Sequence, residues 1–177
     1  MLVTFRESFG VLHGLVFGAL FLLAFSGGLY ALYSLRLEWL TTEGIQEKVS
    51  KLKIWAWSMA AIAWLTVLTG TYIVYPWYRA KPPQGTTDLS TFPRSFLLAN
   101  PNIAGWHNFG MEWKEHIAWL APVAATIAAY LIAKYGAKLA NEPKIRNAVT
   151  WFLIVTFGTA AVAAMLGAFI TKAAPVH

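Results

Sequence analysis

Chemistry-bearing residues crowd into one short stretch of this sequence. "GWHNFGMEWKEH", residues 105–116, holds two of the four histidines (His107, His116), two carboxylates (Glu112, Glu115), one methionine (Met111) and two tryptophans (Trp106, Trp113). Imidazole with carboxylate suits zinc, iron or manganese, so His107, Glu112, Glu115 and His116 make one candidate non-haem metal set. Glu112 and His116 share a helix face at i,i+4. Glu115 stands about 100° round from His116, Lys114 is at hand to neutralise it, and the spacing matches no strong ligand motif such as HExxH. The other arrangement pairs His116 with His13. Because the chain has no cysteine, disulfides, thiolate-held clusters and CxxCH attachment of a c-type haem are excluded. A redox cofactor would be held by His, Met or carboxylate.

These side chains must be positioned by membrane helices. The chain is 58% hydrophobic and 12% charged, against roughly half and a quarter in soluble domains. Residues 8–35 and 54–78 contain no Asp, Glu, Lys or Arg, and neither do 116–133 and 147–171; a bilayer core requires roughly 20 apolar residues per helix. The expectation is an all-α integral membrane four-helix bundle. It forms a single transmembrane domain, 1–177, of two hairpins with both termini on one side, and its helices lie at about 8–35, 54–78, 111–134 and 146–171. Ser8 is the expected N-cap of the first helix, Pro122 the bend in the third, and Tyr135-Gly136 its stop. The first apolar run is far longer than a signal h-region and is expected to stay in the mature chain. "RLEWLTTEGIQEKVSKLK", 36–53, reads as a short amphipathic surface element. The Pro- and Gly-rich segment 79–110 reads as an irregular loop, with a short helix near 90–98 resting Phe92, Phe96 and Leu97 on the interface. An excursion of that length is usually functional or covered by a partner.

The net charge of +6 does not call for nucleic acid, since cytoplasmic loops of membrane proteins are enriched in Lys and Arg. The loops 36–53 and 134–146 carry eight basic residues, among them Arg36, Lys48 and Arg146. The opposite side, with the termini and loop 79–115, carries six. This bias places the termini and that loop outside, on the periplasmic side of a bacterial inner membrane.

Depth singles out two histidines. His13 and His116 both fall about five residues into helices running in the same direction, roughly 6–8 Å below their ends at 1.5 Å per residue, so they are expected to meet inside the bundle. An ionisable residue in a span marks a candidate site. Beside His13, Gly10, Gly14 and Gly18 form a stripe that serves either helix packing or room for a flat porphyrin next to an axial ligand, with Gly14 nearest. Glu112 is placed to orient the His116 imidazole by accepting a hydrogen bond from it, as the outer partners of ligating histidines do. Two neutral imidazoles facing each other across a bundle ligate haem b. Phe17, Ala24, Trp64 and Tyr130 are candidates to line the ring, and Arg79, Lys81 and Arg94 to pair with propionates. His107, in a turn, reads as a surface residue, as the rim of a quinone pocket, or as a ligand of a second cofactor. His177 reads as a frayed terminal residue.

In helix count, and in His13 and His116 at matched depth, the chain resembles the small four-helix transmembrane b-type cytochromes that anchor electron-transfer complexes and exchange electrons with quinones. The resemblance implies haem b on the iron ligands His13 and His116, with quinone as a further ligand. It also implies other subunits of a membrane redox complex as partners alongside lipid, and a non-catalytic role in electron transfer. The competing expectations are a cofactor-free accessory subunit of such a complex and a pigment-binding subunit with one histidine on a chlorophyll.

Overall fold

In the computed structural model, residues 4–35 and 41–174 are described, and all elements among them are helical. Four helices are long and apolar enough to cross a membrane: α1 (Phe5–Tyr33), α2 (Thr42–Tyr78), α4 (Trp106–Ala140) and α5 (Pro143–Ala173). A short α3 (Pro93–Ala99) sits in the segment between α2 and α4. The protein is thus an all-α four-helix membrane bundle. The expectations for Arg36 and His177 fall outside the described residues.

The chain divides into two compact units. The first draws on 4–18, 65–119 and 160–174, the second on 19–64 and 120–159. Each long helix contributes to both.

Several helix ends differ from the sequence expectation for identifiable reasons. The N-cap of α1 is Thr4, not Ser8. The Thr4 hydroxyl accepts from the Glu7 amide at 3.1 Å and the Glu7 carboxylate accepts from the Thr4 amide at 2.8 Å, a complete capping box. Ser8 spends its hydroxyl on the Thr4 carbonyl. Segment 42–53 is not a separate surface element but the first three turns of α2. Ile45, Val49, Leu52 and Ala56 recur at helical spacing and are all buried, and Glu47 pairs with Lys51 one turn on, so amphipathic periodicity carries the helix past its charged turns. In α4, α-helical bonding lapses over 117–119, just ahead of Pro122, which lacks the N–H that would bond back to residue 118. The stop expected at Gly136 is a tightening: Gly136 takes φ +49° and the helix continues as a 3₁₀ turn to Ala140.

The second unit is packed largely through small residues. Ala24 and Ala31 of α1, Ala56, Ala60 and Ala63 of α2, and Ala124, Ala125, Ala128 and Ala129 of α4 are all buried, which lets helices approach closely. Gly27 is crossed by the Trp55 indole so tightly that an added Cβ would stand 2.6 Å from the ring. The first unit has a core of its own, in which Tyr78, Leu97, Ile170 and Ala174 are buried with Ile103, Trp106 and Met111 against them. Met111 is therefore a packing residue, and Leu97 of α3 faces inward rather than resting on the interface.

Candidate functional site

Three π-helical turns interrupt the long helices, at Leu12–Val16, Gly70–Val74 and Trp106–Met111. All three lie in the first unit. Such turns insert an extra residue and re-aim the side chains around them, often at functional positions. Here they carry His13, the glycine on which His13 rests, and His107.

His13 is half-buried and turned to α2. Its Nδ1 lies 3.1 Å from the Thr69 hydroxyl, and that hydroxyl already donates to the Leu65 carbonyl at 2.6 Å. Thr69 can then only accept, so the hydrogen-bond network assigns the ring proton to Nδ1 and leaves Nε2 with its lone pair. The ring lies over Gly70, where an added Cβ would stand 2.9 Å from Cε1 and 3.4 Å from Nε2.

His116 lies on the outside of the chain, its side chain 70% exposed. Its Nδ1 stands 2.8 Å from the backbone carbonyl of Glu112, with the Glu112 carboxylate 3.9 Å away. Glu112 thus orients the ring through its main chain. A carbonyl can only accept, so His116 too carries its proton on Nδ1 and presents Nε2.

His107 is the buried member, 7% exposed. Arg94 Nε–H donates to its Nε2 at 3.3 Å, which leaves Nδ1–H to donate to the Tyr78 hydroxyl at 2.9 Å. Both ring nitrogens are spent. The expected surface or rim histidine is instead the centre of a tie joining α3, the end of α2 and the start of α4. Around it, Tyr75 stacks on Tyr78 with ring centroids 6.3 Å apart, Arg79 sits over the Tyr75 ring at 5.3 Å, and the Glu115 carboxylate faces the Tyr75 hydroxyl. Glu115 Oε1 is buried and has no hydrogen-bond partner among the described residues.

The structure therefore does not gather the histidines into one ligand set. Among the described residues, no three His, Cys, Asp or Glu side chains are placed to hold a metal ion, so the non-haem arrangement of His107, Glu112, Glu115 and His116 is not formed. His13 and His116 are turned to different partners, His13 to Thr69 and Gly70 of α2 and His116 to the main chain of its own turn. Lys114 reaches α5, its Nζ 2.6 Å from where a Cβ on Gly167 would be, and acts electrostatically on His13. His116, two residues further along the same α-helical turns, points about 200° away. The sequence did not fix the face of either histidine, and depth counted from it took later starts: α1 begins at Phe5 and α4 at Trp106, so His13 lies eight and His116 ten residues past the first.

Around Gly10, Gly14 and Gly18 an added Cβ would meet nothing within 4 Å, so this stripe is open surface. Of the expected ring-lining residues, Ala24 is buried, Trp64 donates to Thr126 at 3.0 Å, and Tyr130 is exposed beneath Lys134. Of the expected propionate partners, Arg94 is committed to His107.

No protein-family model, curated protein or solved structure matches this chain. The functional reading rests on the chemistry above.

Thr69, Gly70, Tyr78 and Gly167 are the positions that sequence reasoning missed. Tyr78 carried a signal, as one of the aromatics at the end of α2, and so did Gly167, as one of the small residues of α5. The others matter through what crosses to them from another helix.

Proposed function

We propose that the protein is a membrane electron-transfer subunit that holds haem b through histidine Nε2 in its first unit, within an assembly of other redox subunits. One observation carries this reading: the hydrogen bonds of both span histidines fix the tautomer that an iron accepts. His13 is held through Nδ1–H by Thr69 and His116 by the Glu112 carbonyl, the way ligating imidazoles are commonly oriented. His107, with both nitrogens engaged, is not a ligand in this reading. The open surface at Gly14 leaves room beside His13 for a flat ring. The absence of cysteine restricts the haem to non-covalent attachment.

His13 is turned to α2 while His116 lies exposed on α4, which favours one histidine per haem over a single haem held by both within one chain. In that form His13 and His116 would each hold a separate haem, and a residue of a neighbouring subunit would complete each attachment. The test is the visible spectrum of the purified assembly, oxidised and dithionite-reduced, for wild type, His13→Ala and His116→Ala. A reduced α-band of which each substitution removes its own share is expected. Complete loss in either variant alone would restore the intrachain pair, and a colourless, folded assembly would end the haem reading.

In that last case a cofactor-free accessory subunit is the better account. It is favoured by the use of the buried His107 purely as a fastening, and by the open glycine stripe of α1, which suits a neighbouring helix.

A further inference from the structure

Lys114 acts on His13 electrostatically but is not a ligand in the reading above, which leaves its own placement unexplained. Its side chain is partly buried and runs from α4 to α5, where its ammonium rests on the backbone at Gly167. Any side chain at Gly167 would occupy that place. Among the described residues no hydrogen bond or ion pair reaches the ammonium. His13, the group on another helix that Lys114 acts on electrostatically, is held with its proton on Nδ1 and offers no negative charge. The two carboxylates of the same turns are aimed elsewhere: Glu115 faces Tyr75, and Glu112 stands beside His116. An ammonium in a membrane protein without an acceptor is costly, and the described residues supply none, so this position calls for an anionic partner.

Position along the helices identifies its source. Beyond the charged turn, α4 runs without Asp, Glu, Lys or Arg from Ile117 to Ala133, about 25 Å at 1.5 Å per residue, close to the thickness of the hydrocarbon core. Lys114 therefore lies just outside the core, at the level of lipid phosphates. Gly167 stands six residues before the end of α5, about 9 Å from it, which agrees with that level.

We propose that Lys114, against the bare backbone of Gly167, is the anchoring cation of an oxyanion site that takes the phosphate diester of a membrane phospholipid. The phosphate oxygens accept from the ammonium, and the acyl chains lie along the apolar outer faces of the helices. This assignment is independent of whether haem is bound.

The test compares wild type with Lys114→Gln, which keeps most of the length and polarity but removes the charge. Each is purified in mild detergent and examined by native mass spectrometry for retained phospholipid. After delipidation, each is then melted with dioleoyl phosphatidylglycerol, with dioleoylglycerol, or with inorganic phosphate. Expected are one tightly retained phospholipid per wild-type chain, about tenfold less in the variant, as for one lost charge-assisted hydrogen bond, and a rise in melting temperature with the phospholipid alone. Gly167→Ala, which retains Lys114 but crowds its ammonium, should lower retention in the same direction and serves if the glutamine variant does not fold. Equal retention in wild type and either folded variant overturns the site. Stabilisation by inorganic phosphate as large as by the phospholipid, or by dioleoylglycerol as large as by either, overturns the assignment to a lipid phosphate.

Discussion

In the second unit a glycine of α1, Gly27, receives the indole of Trp55 from α2; in the first, a glycine of α2, Gly70, receives the imidazole of His13 from α1. The device is the same in both units: a missing side chain admits a ring from the facing helix. Its product differs. The second unit gains close apolar packing, whereas the first gains a fixed, titratable ring with one nitrogen to spare. Their polar groups diverge in the same way. In the second unit Trp64 is answered by Thr126, and Arg146 donates to the Leu139 and Ala140 carbonyls at 3.2 and 3.3 Å, closing the end of α4. In the first, the Lys114 ammonium, Glu115 Oε1 and the Nε2 atoms of His13 and His116 are left over. Among the described residues, the polar groups named in the second unit are answered within the chain, and those named in the first are not.

The comparison breaks most visibly if the packing unit turns out to govern the chemistry. Leu153 is 1% exposed in the second unit, and truncating a core leucine to alanine costs about 2–5 kcal/mol, depending on how far the cavity collapses. Leu153→Ala should therefore lower the thermal midpoint in detergent, followed by circular dichroism, more than any other single change considered for this protein. The ¹⁵N resonances of His13 and His116 should stay in place. Movement of those resonances would show that the units do not divide the work.

A middle-sized effect tests the tie at His107. Tyr78→Phe keeps the ring and its packing but leaves the buried Nδ1–H of His107 without an acceptor, a loss of about 1–3 kcal/mol. It should appear locally, as faster proteolysis within 79–105 and faster amide exchange in α3, while exchange in the second unit is unchanged. Uniform loosening of both units would mean that the tie supports the whole bundle rather than the segment it fastens.

How much of this was legible in the sequence depends on which elements one asks about. The four spans were, because apolar runs of sufficient length admit little else in a bilayer. The start of α2 was misplaced because the charges of 42–53 hid an apolar stripe running through Ile45, Val49 and Leu52. Distances along a helix could be counted for His13 and His116, since 1.5 Å per residue is nearly invariant, although from starts near 8 and 111 rather than Phe5 and Trp106. Their directions could not, because a π turn at Leu12–Val16 and another at Trp106–Met111 each insert a residue that no composition rule announces, and helix azimuth is set by packing. His107 looked like a loop residue because its partners, Tyr78 and Arg94, are 29 and 13 residues away. Lys114 looked like a neutralising partner for Glu115 because the two are adjacent, although adjacent helical residues face about 100° apart.

The smallest effect sharpens the comparison furthest. Thr69→Val removes the only acceptor that His13 Nδ1–H has among the described residues, and it replaces a hydroxyl that also bonds its own helix at Leu65. An ordinary intramolecular hydrogen bond contributes about 0.5–1.5 kcal/mol net. His13 is only half-buried, so the cost should lie at the low end and the melting curve should scarcely move. The tautomer, however, is held by that bond alone. Once it is gone the ring is free to carry its proton on either nitrogen, and ¹⁵N chemical shifts should show the His13 Nδ1–H form giving way to a mixture while His116, held by the Glu112 carbonyl, keeps its own. In a pigmented assembly the same variant should weaken the share of the reduced band that depends on His13 and spare the share that depends on His116. If the tautomer of His13 does not change, Thr69 is a packing neighbour, and the first unit would then be built on the same terms as the second.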